Sequence, residues 1–118
     1  MIIDTQLLET IKRSNDLEWV LEDLVRNDPN HSSRKVQNRA ISKDMIDVCV
    51  ALGRKERSYG QITFTLTDRC LIKSQFKKYI DSLRGLRIVG SIEGKLLMIR
   101  TVYWYDKVSR KKPRIQNK

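Results

Sequence analysis

The sequence is poor in the residues on which most enzyme chemistries depend. It has one histidine, His31, and two cysteines, Cys49 and Cys70. A single histidine and scattered carboxylates supply neither a zinc ligand set nor a two-metal site, so no metal and no cofactor is expected. The cysteines do not form a CxxC pair. Cys49 falls in an apolar stretch and Cys70 has no histidine near it in sequence, so neither reads as a nucleophile. Both are expected as reduced thiols in a cytoplasmic protein. Neither GxxxxGKS/T nor GxGxxG occurs, so no phosphate-binding loop is signalled. No apolar run approaches the ~20 residues of a membrane helix. The opening MIIDTQLLETIKRS lacks a basic region followed by an apolar one, so neither a membrane contact nor a signal peptide is expected.

Positive charge, by contrast, is plentiful. The 118 residues include 24 lysines and arginines against 14 acids, a net charge of +10. The distribution is uneven. Residues 1–30 hold Asp4, Glu9, Asp16, Glu18, Glu22, Asp23 and Asp28 against Lys12, Arg13 and Arg26, a net of −4, so residues 31–118 carry +14. An acidic segment is joined to a strongly basic body, and a basic body favours a polyanionic partner, most often nucleic acid.

The apolar periodicity changes partway along the chain. Leu7, Leu8, Ile11, Leu17, Val20, Leu21, Leu24 and Val25 recur mostly at three- and four-residue steps, which predicts an amphipathic helix over 5–27. An Asn15–Glu18 capping box marks a break within it, and Asp28-Pro29 marks its end. This acidic helix can pack on the core or stand as an appendage for a partner. A short helix is expected over about 31–40. Ser42 caps a third over 43–52, and Gly53 stands where a left-handed C-terminal residue belongs.

Strand-like alternation follows. In Gln61–Thr67, Ile62, Phe64 and Leu66 alternate with polar residues, a half-buried strand. Residues 54–59 are a preceding strand or a loop, with the strand favoured. Asp68-Arg69 reads as a turn, and residues 74–83 as a helix capped by Ser74. Leu86–Ile92 reads as a strand, Glu93-Gly94 as a hairpin turn and Lys95–Tyr105 as a long central strand. Strict alternation there puts Leu97, Ile99, Thr101, Tyr103 and Tyr105 on one face, and Leu96, Met98, Arg100, Val102 and Trp104 on the other. The tail 107–118 has six basic residues and no acid. Helices first and then strands predict an α+β fold, with N-terminal helices on one face of a mostly antiparallel sheet. The expected division is an acidic helical extension over 1–30, an α+β domain over 31–106 and a basic tail over 107–118.

His31, Lys35 and Arg39 are spaced by four, so a helix would set them on one face. The run His31-x3-Lys35-Val36-x2-Arg39-Ala40-Ile41-Ser42, followed by the Ile46/Val50 helix ending at Gly53, the strand 86–92 and Gly94…Arg100-Thr101-Val102-Tyr103, resembles the pattern of a family of small bacterial domains, DUF4258. The resemblance covers about residues 31–105. It departs from the family in a longer connection over 69–85 and in the first 30 residues, which have no counterpart. It implies a sheet of about four strands, similar to the metal-independent endoribonuclease toxins of the barnase, colicin E5 and RelE group. It also implies a neutralising antitoxin or another acidic protein as a partner.

Metal-free RNA cleavage needs a base for the ribose 2′-OH, an acid for the leaving 5′-oxygen and cations for the charged phosphorane. Histidine suits proton transfer near neutral pH; arginine and lysine suit the phosphate. The expected catalytic residues are therefore His31 and Arg39, with Thr101 at the family's motif position. Lys35, Arg34, Tyr59, Arg100 and Tyr103 are expected to contact substrate. A second proton-transfer group would have to be Tyr59, Tyr103 or a basic residue. The alternative is a non-catalytic nucleic-acid-binding or protein-interaction module that uses the same basic surface.

Overall fold

The computed structural model describes residues 2–22 and 41–105. The helix expected over 31–40, and with it His31, Arg34, Lys35 and Arg39, lies outside the described residues, as does the tail 107–118.

The fold is α+β, as the order of elements predicts. Helix α1 spans Thr5–Ser14 and strand β1 Glu18–Leu21. Helix α2 (Lys43–Leu52) then leads into strands β2 (Arg54–Ser58) and β3 (Gln61–Thr65). A short helix α3 (Asp68–Ile72), a 3₁₀ turn (Lys77–Tyr79) and α4 (Ile80–Leu83) connect to β4 (Leu86–Glu93) and β5 (Leu96–Trp104). Among the described residues the strands form one five-stranded sheet in the order β1-β5-β4-β3-β2. All neighbours are antiparallel except β1, which runs parallel to β5.

The fifth strand comes from the segment expected to be helical throughout. Asn15 closes α1 rather than capping a second helix: its backbone is extended, and its side chain accepts from the Leu17 N–H at 3.3 Å. Glu18–Leu21 then pairs with Leu96–Ile99. The three- and four-residue spacing of Leu17, Val20 and Leu21 suits either structure, and the open edge of β5 decides. Its unpaired N–H and C=O groups need partners, and β1 supplies them. The described part of the acidic segment, residues 2–22, is thus part of the core: Ile3, Leu8 and Leu21 are buried in the same cluster as Phe64, Ile88 and Ile99.

Helix α2 lies between α1 and the sheet, against β3 and β4. Ser42 caps it as expected, accepting from the Met45 N–H at 3.2 Å. Gly53, however, is extended rather than left-handed. A Cβ there would stand 2.5 Å from the Cys49 carbonyl oxygen, so the small residue is needed for close approach. Asp68-Arg69 does not form the expected turn. Thr67 accepts from the Cys70 N–H at 3.2 Å and opens α3, while Asp68 is drawn inward by Arg84. Helical structure between 74 and 83 is confined to the 3₁₀ turn and α4; Ser74 accepts from the Phe76 N–H at 2.9 Å, and Phe76 and Leu83 are buried.

The long last strand does not alternate strictly. Pairing with β4 is regular from Leu86↔Trp104 to Val89↔Thr101, then resumes at Gly90↔Ile99, which leaves Arg100 as the extra residue of a β-bulge. A bulge moves every residue beyond it to the opposite face relative to strict alternation. Leu97, Ile99 and Val102 consequently share the core face, while Met98, Thr101 and Tyr103 share the other. The site of the bulge is set from across the ladder. A Cβ on Gly90 would lie 2.2 Å from the Met98 carbonyl oxygen, so only glycine permits that approach.

Candidate functional site

Helices cover one face of the sheet. The other carries Thr63 and Thr65 of β3, Arg87, Val89 and Ser91 of β4, and Met98, Thr101 and Tyr103 of β5, by pairing and by alternation with the buried residues. Its focus is Arg87. The guanidinium carbon lies 3.5 Å from the centre of the Tyr105 ring, Nε donates to Thr65 Oγ1 at 2.9 Å, and Nη1 reaches the Tyr103 hydroxyl at 3.5 Å. The carboxylate paired with it, Glu56, is 4.0 Å away and also serves Arg54 at 3.6 Å.

A second guanidinium gives the contrast. Arg84 is as deeply covered as Arg87, with side-chain exposures of 16% and 15%. Yet Arg84 grips the buried Asp68 carboxylate through Nε and through Nη2 at 3.0 Å, and Asp81 through Nη1 at 3.1 Å. Hydrogen bonding to Asp68 holds its pKa above the ordinary arginine value, against the effect of burial. Arg84 is a neutralised structural charge joining α3 to α4. Arg87 is held by an aromatic ring and neutral hydroxyls. The cation is largely buried, and its nearest described carboxylate, Glu56, is at the 4.0 Å limit of an ion pair; with Nε on Thr65 and Nη1 near Tyr103, Nη2 is the nitrogen best placed to add a contact with an anion.

The described candidates divide on this face. Thr101 and Tyr103 belong to it. Tyr103 is paired with Arg87, and Thr101 stands two pairs further along, opposite Val89. Arg100, the bulge residue, meets Glu22 at 3.4 Å. Tyr59 is remote, at the tip of the β2–β3 hairpin. Sequence reasoning missed Arg87. The signal was present in its alternation with Leu86 and Ile88, which puts it on the sheet's polar side. Nothing local in the sequence shows that its partners would be Tyr105 and Thr65.

Other features fit a polyanion or a catalytic role less well. A concavity of about 400 Å³ between α1, β1 and α2 is lined by Asp16, Glu18 and Asp47 as well as Lys12 and Trp19. Its carboxylates repel phosphate, and Asp47 is occupied by the Trp19 indole N–H at 2.7 Å and by Lys12 at 3.6 Å. Burial pushes the Cys49 thiol well above the ordinary range, so it is no nucleophile at neutral pH. Among the described residues no group of three or more His, Cys, Asp or Glu is placed to hold a metal ion, and no helix is long and apolar enough to cross a membrane.

No family model, no curated protein and no solved structure matches the chain.

Proposed function

We propose that the face of the sheet opposite the helices binds RNA, with Arg87 as its phosphate anchor, and that the chain cleaves bound RNA without a metal. The observation that carries the binding is the Arg87 guanidinium, stacked on Tyr105 with its nearest carboxylate among the described residues, Glu56, 4.0 Å away. Thr101 and Tyr103 flank it with hydroxyls able to donate to phosphate oxygens. The net charge of +10 adds long-range attraction for a polyanion.

Cleavage is the part carried by the sequence. In this reading His31 moves the proton to or from the ribose 2′-OH or the 5′-oxygen, and Arg39 and Lys35, with Arg34 beside them, stabilise the charge gathering on phosphorus. The resemblance to the metal-independent endoribonuclease toxins supports it, and makes an antitoxin or acidic protein a fitting partner. A second reading is binding without cleavage. It is supported by the described part of the face, whose guanidinium and hydroxyls suffice to hold a phosphate.

One experiment separates the two. The full chain is incubated with end-labelled RNA in chelator at several salt concentrations. Salt-sensitive binding together with products ending in 2′,3′-cyclic phosphate, absent from His31→Ala, supports cleavage. Intact RNA with the same salt-sensitive binding leaves the binding module. Absence of binding at low salt removes both.

A further inference from the structure

The β2–β3 hairpin ends in an aromatic residue that the fold does not use. Ser58 pairs with Gln61, so the loop is Tyr59-Gly60, with φ of +52° and +78°. Two positive values belong to the type I′ turn, whose first position normally holds Asn, Asp or Gly. A bulky side chain is disfavoured in that backbone region. The Tyr59 side chain is fully exposed, so the ring packs on nothing among the described residues that would offset the strain.

The neighbouring charges have an ordinary explanation that does not extend to the ring. All five residues of β2 are exposed, and Arg54, Lys55 and Arg57 protect the sheet edge from pairing with another chain. An exposed tyrosine at a hairpin tip offers no such protection. Strain that persists at an exposed, unpartnered side chain points to a use outside the chain. Beside the tip is a shallow concavity of about 350 Å³, to which Arg57, Ser58, Gln61 and Ile92 contribute along with the turn. A rigid aromatic beside a cation and amide or hydroxyl groups is the chemistry that receives an unpaired base and its phosphate.

We infer that Tyr59 is a stacking platform for an unpaired RNA base, with Arg57 holding the adjoining phosphate. This rests on the reading of the chain as RNA-binding and adds a preference for single strands. Arg57 pairs with Ile62 and so stands on the helix-covered side of the sheet, whereas Thr65 and Arg87 stand on the other, so the base on Tyr59 and the phosphate on Arg57 form a contact of their own at the hairpin tip. A duplex keeps its bases stacked on one another and has none to offer.

The test uses the full chain, a short labelled oligouridylate and a duplex RNA of equal length. Fluorescence anisotropy is measured for wild type, Tyr59→Asn and Tyr59→Phe, together with thermal melting. Tyr59→Asn suits the left-handed turn, so its Tm should rise by about 3–6 °C while its affinity for the single strand falls about tenfold or more. Its affinity for duplex should not change, and Tyr59→Phe should bind the single strand like wild type. Wild-type affinity in Tyr59→Asn, or an equal loss on both RNAs, overturns the stacking site and leaves RNA binding at Arg87 standing. A wild-type chain that binds neither RNA overturns both.

Discussion

The Arg87 guanidinium lies 3.5 Å from the centre of the Tyr105 ring, and Tyr105 is held in place by its N–H bonded to the Gly85 carbonyl at 2.6 Å. The charge is thus fixed by a ring rather than by an acid. Replacing it should cost the fold little. Arg87→Met loses a cation–π contact worth ~0.5–1 kcal/mol and a donor to the buried Thr65 hydroxyl, about 1–2 kcal/mol in total. RNA affinity should fall at every salt concentration, and the slope of log K against log salt should drop by about one. An unchanged slope would show that Arg87 meets no phosphate.

Arg84→Met should behave in the opposite way. It takes the Arg84 fork from the Asp68 carboxylate, which is 1% exposed, and loss of one partner from a buried pair costs about 3–5 kcal/mol. Urea denaturation of the two methionine variants side by side checks the contrast. Equal losses would mean that the two guanidinium groups play the same structural part.

Gly90→Ala should destabilise the sheet by about 1–3 kcal/mol, because the added methyl meets the Met98 carbonyl, which is backbone and cannot rotate away. If the strand instead relieves the clash by moving the bulge, Thr101 and Tyr103 change faces and RNA binding weakens out of proportion to stability. Amide exchange across Val89–Met98 distinguishes the two responses. A variant with wild-type stability and wild-type exchange would show that Gly90 does not set the bulge.

Cys49 carries a pH signature. Burial raises its folded-state pKa far above the ordinary value of 9.0, so above that pH the unfolded chain loses a proton that the folded chain keeps. Stability from this group is therefore complete below about pH 9 and declines as pH rises beyond it, by at most ~1.4 kcal/mol per pH unit. Denaturation of wild type and Cys49→Ala between pH 8 and pH 10.5, roughly the window in which a free thiol ionises, should show a steeper decline in wild type. Parallel profiles would contradict the assignment.

Several elements were legible because their causes lie within a few residues. Ser42 announces α2 through its hydroxyl, the alternation of Ile62, Phe64 and Leu66 announces β3, and the run from Leu86 through Gly94 to Trp104 announces a hairpin, although Glu93 stays paired with Leu96, so the two-residue loop is Gly94-Lys95 rather than the expected Glu93-Gly94. Glu18–Leu21 was not legible as a strand. Its apolar spacing is compatible with helix, and its fate depends on an edge that forms some 80 residues later in the chain.

The candidate site divides in the same way. Thr101 and Tyr103 stood out in the local run RTVY, and Arg87 lay on the polar side of its strand. The sequence by itself determined the fold class, the imbalance of charge and which side chains alternate toward the core, because hydrophobic period, capping and turn chemistry act over neighbouring residues. Only the tertiary structure decided that β1 completes the sheet, that Gly90 places a bulge at Arg100, and that two arginines three positions apart receive opposite surroundings. Those outcomes depend on which distant strands pair and in which register, and pairing sets what stands beside each charge: a buried aspartate for Arg84, a tyrosine ring for Arg87.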